Sequence, residues 1–279
     1  MSPVRTHDGR ASSVLGFTLI ELMVVMGIMI LIVGLSAPGI VGMKKSRNIV
    51  AAGYAISGLL EQARMYAMAN NTYVWVGFFE EDGTRSSQVP AVVGNGGRLV
   101  MAAVASQSGE RYQDVASPAS FGLGDGSNPV NLVLISRLIK IDNVRLSGAN
   151  TSSVTSNNPR RPVVSNGCQV GDSSLQVPKN SAGNFASSIC FTFPLGGAGN
   201  SAVAQYTFAK VIEFDPQGEA SKIGENTTNG SGIPGMMEVA LVPMQGGMLD
   251  SRYSGANTNK AAVAVQIEGF SGQVRIYLP

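Results

Sequence analysis

Histidine is almost missing from this chain: there is one, His7, in the short polar stretch before a long apolar run. If that stretch is removed, the remaining protein contains none. Histidine-based general base catalysis, Ser-His-Asp triads and His-ligated metal sites are then excluded. Charge is also scarce, at 14% of residues, with a net charge of +2. Such a balance points to neither nucleic acid nor strongly acidic partners. Aromatic residues make up 6%, whereas glycine is abundant at 34 residues and Ser, Asn and Thr are plentiful. That composition suits a β-rich, loop-heavy extracytoplasmic domain better than a helical cytosolic enzyme.

Cysteine is limited to Cys168 and Cys190, both far beyond the apolar run. In an oxidising compartment the two would close one loop, which the chain-entropy model values at roughly 3 kcal/mol. The alternative is a pair of buried thiols in a reduced protein, and the spacing does not suggest a metal knuckle. Other chemistry is sought in vain. Gly94-Asn95-Gly96-Gly97 lacks the helix and acidic residue of a dinucleotide site and reads as a hairpin turn. Asp125-Gly126-Ser127-Asn128 lacks the rest of a calcium loop. No serine or threonine has an evident base. No enzyme activity, cofactor or metal is expected.

What the chain does have is Gly16-Phe17-Thr18-Leu19-Ile20-Glu21 and the apolar run that follows. From Phe17 to Gly42 the only ionisable side chain is Glu21. As one helix that run reaches about 39 Å, more than the roughly 30 Å of a bilayer core. A carboxylate near its start costs about 2.5–3.5 kcal/mol on insertion scales, so Glu21 demands a partner. No Lys, Arg or His lies within helical reach inside the run.

This hexapeptide resembles the processing site of type IV prepilins and of the pseudopilins of type II protein secretion. The resemblance implies cleavage after Gly16 by a prepilin peptidase, N-terminal methylation of Phe17, and a helix kink at Pro38. It also implies that Glu21 of one subunit neutralises the Phe17 ammonium of its neighbour in a filament. Residues 59–71 are similar to the corresponding helix of H-type pseudopilins and minor pilins, and Phe214-Asp215-Pro216-Gln217-Gly218 resembles a turn of that family.

The expected organisation is a leader over 1–16, a transmembrane and assembly helix over 17–43, an amphipathic continuation over 44–71, and a β-rich periplasmic head over 72–279. An irregular insertion is expected over 147–188. The continuation rests on Ile49, Ala52, Ile56, Leu59, Leu60, Ala63, Tyr66 and Ala67, which recur at spacings of three and four; Glu61 and Arg64 are expected to face solvent. Strands are predicted at 72–79, 99–105, 130–141, 189–193, 205–214, 237–242, 261–268 and 273–278. The fold class expected is therefore α+β and pilin-like, a long N-terminal transmembrane helix continuing onto an antiparallel β-rich head. Arg5 and Arg10 precede the run while Lys44, Lys45 and Arg47 follow it, which by the positive-inside rule slightly favours a cytoplasmic C-terminal side. The processing site outweighs that count. It places the leader in the cytoplasm and the head in the periplasm, in a single-pass inner-membrane protein destined for a filament.

The functional expectation is a minor pseudopilin or pilin-like structural subunit whose partners are the peptidase, the membrane before assembly, and other subunits. The alternative is a minor type IV pilin whose head binds DNA or a surface ligand. DNA binding would need clustered basic residues, and beyond the membrane exit only Arg160-Arg161 are adjacent. A solvated loop dipeptide is the stronger reading of that pair.

Overall fold

A computed structural model describes residues 18–93, 97–111, 132–147, 162, 164, 168–171, 191–195, 204–208, 210–222, 235–245, 247–249 and 262–278, and for 34–47 the backbone alone. The chain divides into two compact units, residues 1–44 and 45–279. Among the described residues one helix, α1, is assigned over Leu19–Asn70.

In the second unit, the helical residues Ile49, Ala52, Ile56, Leu59, Leu60, Ala63 and Ala67 are buried, and Tyr66 packs partly against them. Spacings of three and four put these side chains on one helical stripe, which a sheet can cover. α1 stops at Asn71, which takes the left-handed conformation (φ 50°) while the Thr72 amide donates back to the Ala67 carbonyl at 3.0 Å. This is a common way of satisfying the last carbonyls of a helix.

Among the described residues twelve strands follow: β1 (Val74–Asp82), β2 (Gly97–Ser106), β3 (Leu132–Leu134), β4 (Ile139–Leu146), β5 (Phe191–Phe193), β6 (Tyr206–Phe208), β7 (Lys210–Phe214), β8 (Ala220–Lys222), β9 (Met236–Gln245), β10 (Met248–Leu249), β11 (Val263–Glu268) and β12 (Val274–Tyr277). Ten form one antiparallel sheet, whose main path runs β12-β11-β9-β4-β2-β1-β7-β8, with β10 beside β9 and β3 beside β2. β5 and β6 make a separate two-stranded ribbon.

The sheet is covered on both faces, so its central strands are buried almost without alternation, as fully covered strands should be. One face packs on α1 through Val76, Phe78, Leu99, Met101, Val239 and Val265. The other packs Trp75, Val100, Ala102 and Val104 against Phe191, Tyr206 and Phe208 of the ribbon. Gly77 makes this second layer fit. A Cβ there would lie 2.6 Å from Phe208 and 2.7 Å from Phe191. The two ends of the path also meet: the Ala220 amide of β8 donates at 2.6 Å to the Gly269 carbonyl, in the turn between β11 and β12. The sheet therefore curls around the buried face of the helix, and neither end of the path is left wholly open to pair with another chain.

Two expectations need correction. The fold is not a long transmembrane helix carrying a smaller β-rich head: most of the chain's regular structure is a large ten-stranded antiparallel sheet. Among the described residues no helix is long and apolar enough to cross a membrane. The single-pass inner-membrane placement, with leader cytoplasmic and head periplasmic, falls with it. The expected span of 17–43 runs past Val33, where the described side chains of this stretch end.

The strand pattern was coarser than the structure. The 130–141 segment contains two strands, β3 and β4, separated by Ser136, whose hydroxyl takes the Ala103 amide at 2.9 Å. The 205–214 segment likewise contains β6 in the ribbon and β7 in the main sheet. β1 continues past the predicted 72–79 segment through Glu80, Glu81 and Asp82, because all three pair with β2. β8 and β10 had no clear signal.

Candidate assembly site

The first unit begins with a local motif. Thr18 Oγ1 accepts the Glu21 amide at 3.3 Å, while Glu21 Oε2 accepts the Thr18 amide at 2.9 Å and the Thr18 hydroxyl at 2.8 Å. This is a capping box, in which N-cap and N3 residues reciprocally satisfy amides that the helix leaves unpaired. The bonds from Thr18 hold the Glu21 carboxyl below the usual carboxylate range. The positive end of the helix dipole favours the same charge. The premise that Glu21 lacks any partner in its own chain is thereby corrected: Thr18 supplies one. The Thr-x-x-Glu signal ahead of an apolar run was present in the sequence and was missed because Glu21 was considered only as a charge. Both bonds fall on Oε2, so Oε1 remains available at the surface.

Beyond the box the helix is apolar on every side, and every described side chain from 18 to 33 is exposed. Leu19 is 78% exposed and Ile30 72%, and Leu22, Met26 and Val33 also stand more than half open. A helix that is apolar all round needs cover on all sides. None of the described side chains of the first unit has such cover.

Gly16 and Phe17, the expected cleavage and methylation residues, lie outside the described residues. Pro38 falls within α1, where side chains are not described, and the kink expected there lies outside the description as well. Cys168 is half-buried, and its carbonyl accepts the Glu238 amide at 2.9 Å, tying this part of the insertion to β9. Cys190 lies outside the described residues, and with it the expected disulfide. The 214–218 turn joins β7 to β8: Asp215 Oδ1 accepts the amides of Gln217 (3.0 Å) and Glu219 (2.8 Å).

Elsewhere in the second unit the charged residues mostly serve one another. Arg98 pairs with Asp142 at 2.6 Å and with buried Glu81 at 3.3 Å. Lys210 pairs with Glu80 at 2.7 Å. Glu213, fully buried in β7, takes Arg111 at 2.6 Å and the Trp75 indole at 2.9 Å. Burial pushes its carboxyl up, opposed by Arg111 and by the Trp75 bond. Glu238 accepts from the amides of Gln169 and Gln266 at 3.3 and 2.8 Å. These are cross-strand ties, spread over the sheet. Among the described residues no group of three His, Cys, Asp or Glu could hold a metal ion.

Arg64 differs from the other buried or half-buried cations. It was expected to face solvent, yet its Nε is buried without a hydrogen-bond partner. Two features thus stand apart from these ties: the capped apolar helix, and Arg64 where the sheet's two ends meet over α1. Comparison with family models, curated proteins and solved structures found no match to this chain.

Proposed function

We propose that this chain is a structural subunit of a pilin or pseudopilin filament, cut by a prepilin peptidase after Gly16, methylated at Phe17, and assembled through its N-terminal helix. One observation carries the reading: the helix over 19–33 is apolar all round, exposed on every side, and has Glu21 as its only ionisable group. Bundling with helices of other subunits would remove that surface from water at about 25 cal/mol per Å². The sequence Gly16-Phe17-Thr18-Leu19-Ile20-Glu21 adds the peptidase as the enzyme that would expose the new amino terminus.

The capping box suits this role. Thr18 holds the Glu21 carboxylate in its ionised state, the form that would pair with a neighbouring cation. Glu21 Oε1 can then take a donor from a neighbouring subunit, so two charges that are each unfavourable in an apolar bundle offset one another.

The test is co-expression with a prepilin peptidase, followed by mass spectrometry and sedimentation. The expected result is loss of residues 1–16, a methylated Phe17, and recovery of the cut chain in a high-mass fraction. Glu21→Ala should be cut normally but fail to enter that fraction. Full incorporation of Glu21→Ala would overturn the role given to Glu21, and absence of cutting would overturn the reading as a whole.

A further inference from the structure

Two turns close over one point of α1. Gly218, in the β7–β8 turn, lies against Met68: a Cβ there would be 2.7 Å from its sulfur and 3.4 Å from Arg64 Nε. Gly272, in the β11–β12 turn, lies against Arg64: a Cβ there would be 2.9 Å from its Cδ and 3.0 Å from its Nε. Both glycines have positive φ, 85° and 61°, a conformation other residues adopt only with strain. The two backbones thus grip the Arg64 side chain where its stem meets the guanidinium.

That guanidinium has no carboxylate among the described residues. Arg85, Arg98, Arg111, Arg145 and Lys210 all do. Arg137, Lys140 and Arg275 also lack one, but they are exposed. Arg64 is half-buried, with its Nε shut away from water. Exposed apolar side chains stand nearby: Phe270, on the gripping turn, is 65% exposed, and Met65 and Met68 of α1 are exposed, while the turns also expose the polar Gln217, Glu268 and Gln273. A fixed cation set among exposed Met and Phe side chains is complementary to an apolar segment bearing one carboxylate. The chain itself carries such a segment, at 19–33, with Glu21 as its single charge and Oε1 uncommitted.

We infer that Arg64, Met65, Met68 and Phe270 form a docking face for the N-terminal helix of a second copy of this chain, in which Arg64 pairs with Glu21. The inference rests on the assembly reading and adds a specific contact to it. Met side chains adapt to irregular apolar partners, while a guanidinium gives a carboxylate a directional pair of donors.

The experiment is a charge swap between two differently tagged full-length copies, read by co-purification in mild detergent. Wild-type copies should co-purify. Glu21→Arg in both copies, or Arg64→Glu in both, should reduce recovery by about tenfold. Mixing a Glu21→Arg copy with an Arg64→Glu copy should restore recovery to near wild type, because only the mixed pair brings Arg and Glu together again. Arg64→Gln, which keeps a neutral side chain between the two glycines, should lie between wild type and Arg64→Glu. Thermal melting of each variant separates a folding defect from an association defect. Wild-type association that is indifferent to Arg64→Glu and Arg64→Gln, or a mixed pair that is not restored, would overturn the pairing and leave the assembly reading in place. Wild-type copies that never co-purify would overturn both.

Discussion

Arg111→Ala offers the sharpest test of how the sheet holds its buried charge. Glu213 is 1% exposed, and its oxygens are shared between Arg111 at 2.6 Å and the Trp75 indole at 2.9 Å. Removing Arg111 leaves a buried carboxylate with one neutral donor, a change that typically costs about 3–5 kcal/mol. Arg111 is 30% exposed, so water can partly replace it and the lower end, about 3 kcal/mol, is expected. With a urea slope near the upper end of about 1–3 kcal/mol/M, the unfolding midpoint should fall by about 1 M. The assay is direct, because Trp75 is the only tryptophan and reports by fluorescence. Glu213→Gln keeps an acceptor for the indole and removes the charge. The double variant Arg111→Ala/Glu213→Gln should therefore be more stable than Arg111→Ala alone.

The pH dependence carries a definite sign. Burial raises the folded-state value of Glu213 above the usual 4.5, so its protonated form favours the fold. That contribution is present below about 4.5 and is lost as pH rises through the raised value. Without Arg111 the value rises further. The Arg111→Ala penalty should thus be small in acid and grow towards neutral pH. A penalty independent of pH, or a double variant no more stable than Arg111→Ala, would refute the account.

Three other outcomes follow from single contacts. Ile56→Ala removes a fully buried helix side chain and should cost about 2–5 kcal/mol in urea unfolding, whereas Tyr54→Ala, on the exposed face, should change stability by under about 0.5 kcal/mol. Gly77→Ala places a methyl against Phe208 and Phe191 and should cost about 1–3 kcal/mol by thermal melting, with a changed near-UV signal as the β5–β6 ribbon shifts off Trp75. Because Thr18 lowers the Glu21 value, the capping box should persist until pH falls through that lowered value. Thr18→Ala should move the Glu21 titration, followed by NMR, up towards the ordinary range; an unmoved titration would show that Thr18 does not hold it.

The sequence by itself determined features set by local spacing and local bonds. The residues from Ile49 to Ala67 share a stripe because 3.6 residues make a turn, whatever they pack against. The turn at 214–218 follows from an Asp side chain reaching the amides two and four residues on, with Gly218 at positive φ. The capping box was equally readable in Thr18 and Glu21. Only the tertiary structure decided what required distant segments to meet. Splitting 205–214 between two sheets depends on Phe208 meeting Phe191 over Gly77, and no local pattern encodes that approach. The same is true of Arg64. By helical periodicity it belongs near the solvent side, but it is gripped by Gly218 and Gly272, which are brought to it when β8 bonds to the β11–β12 turn. Periodicity specifies which face a residue occupies; only the closure of the sheet determines what covers it.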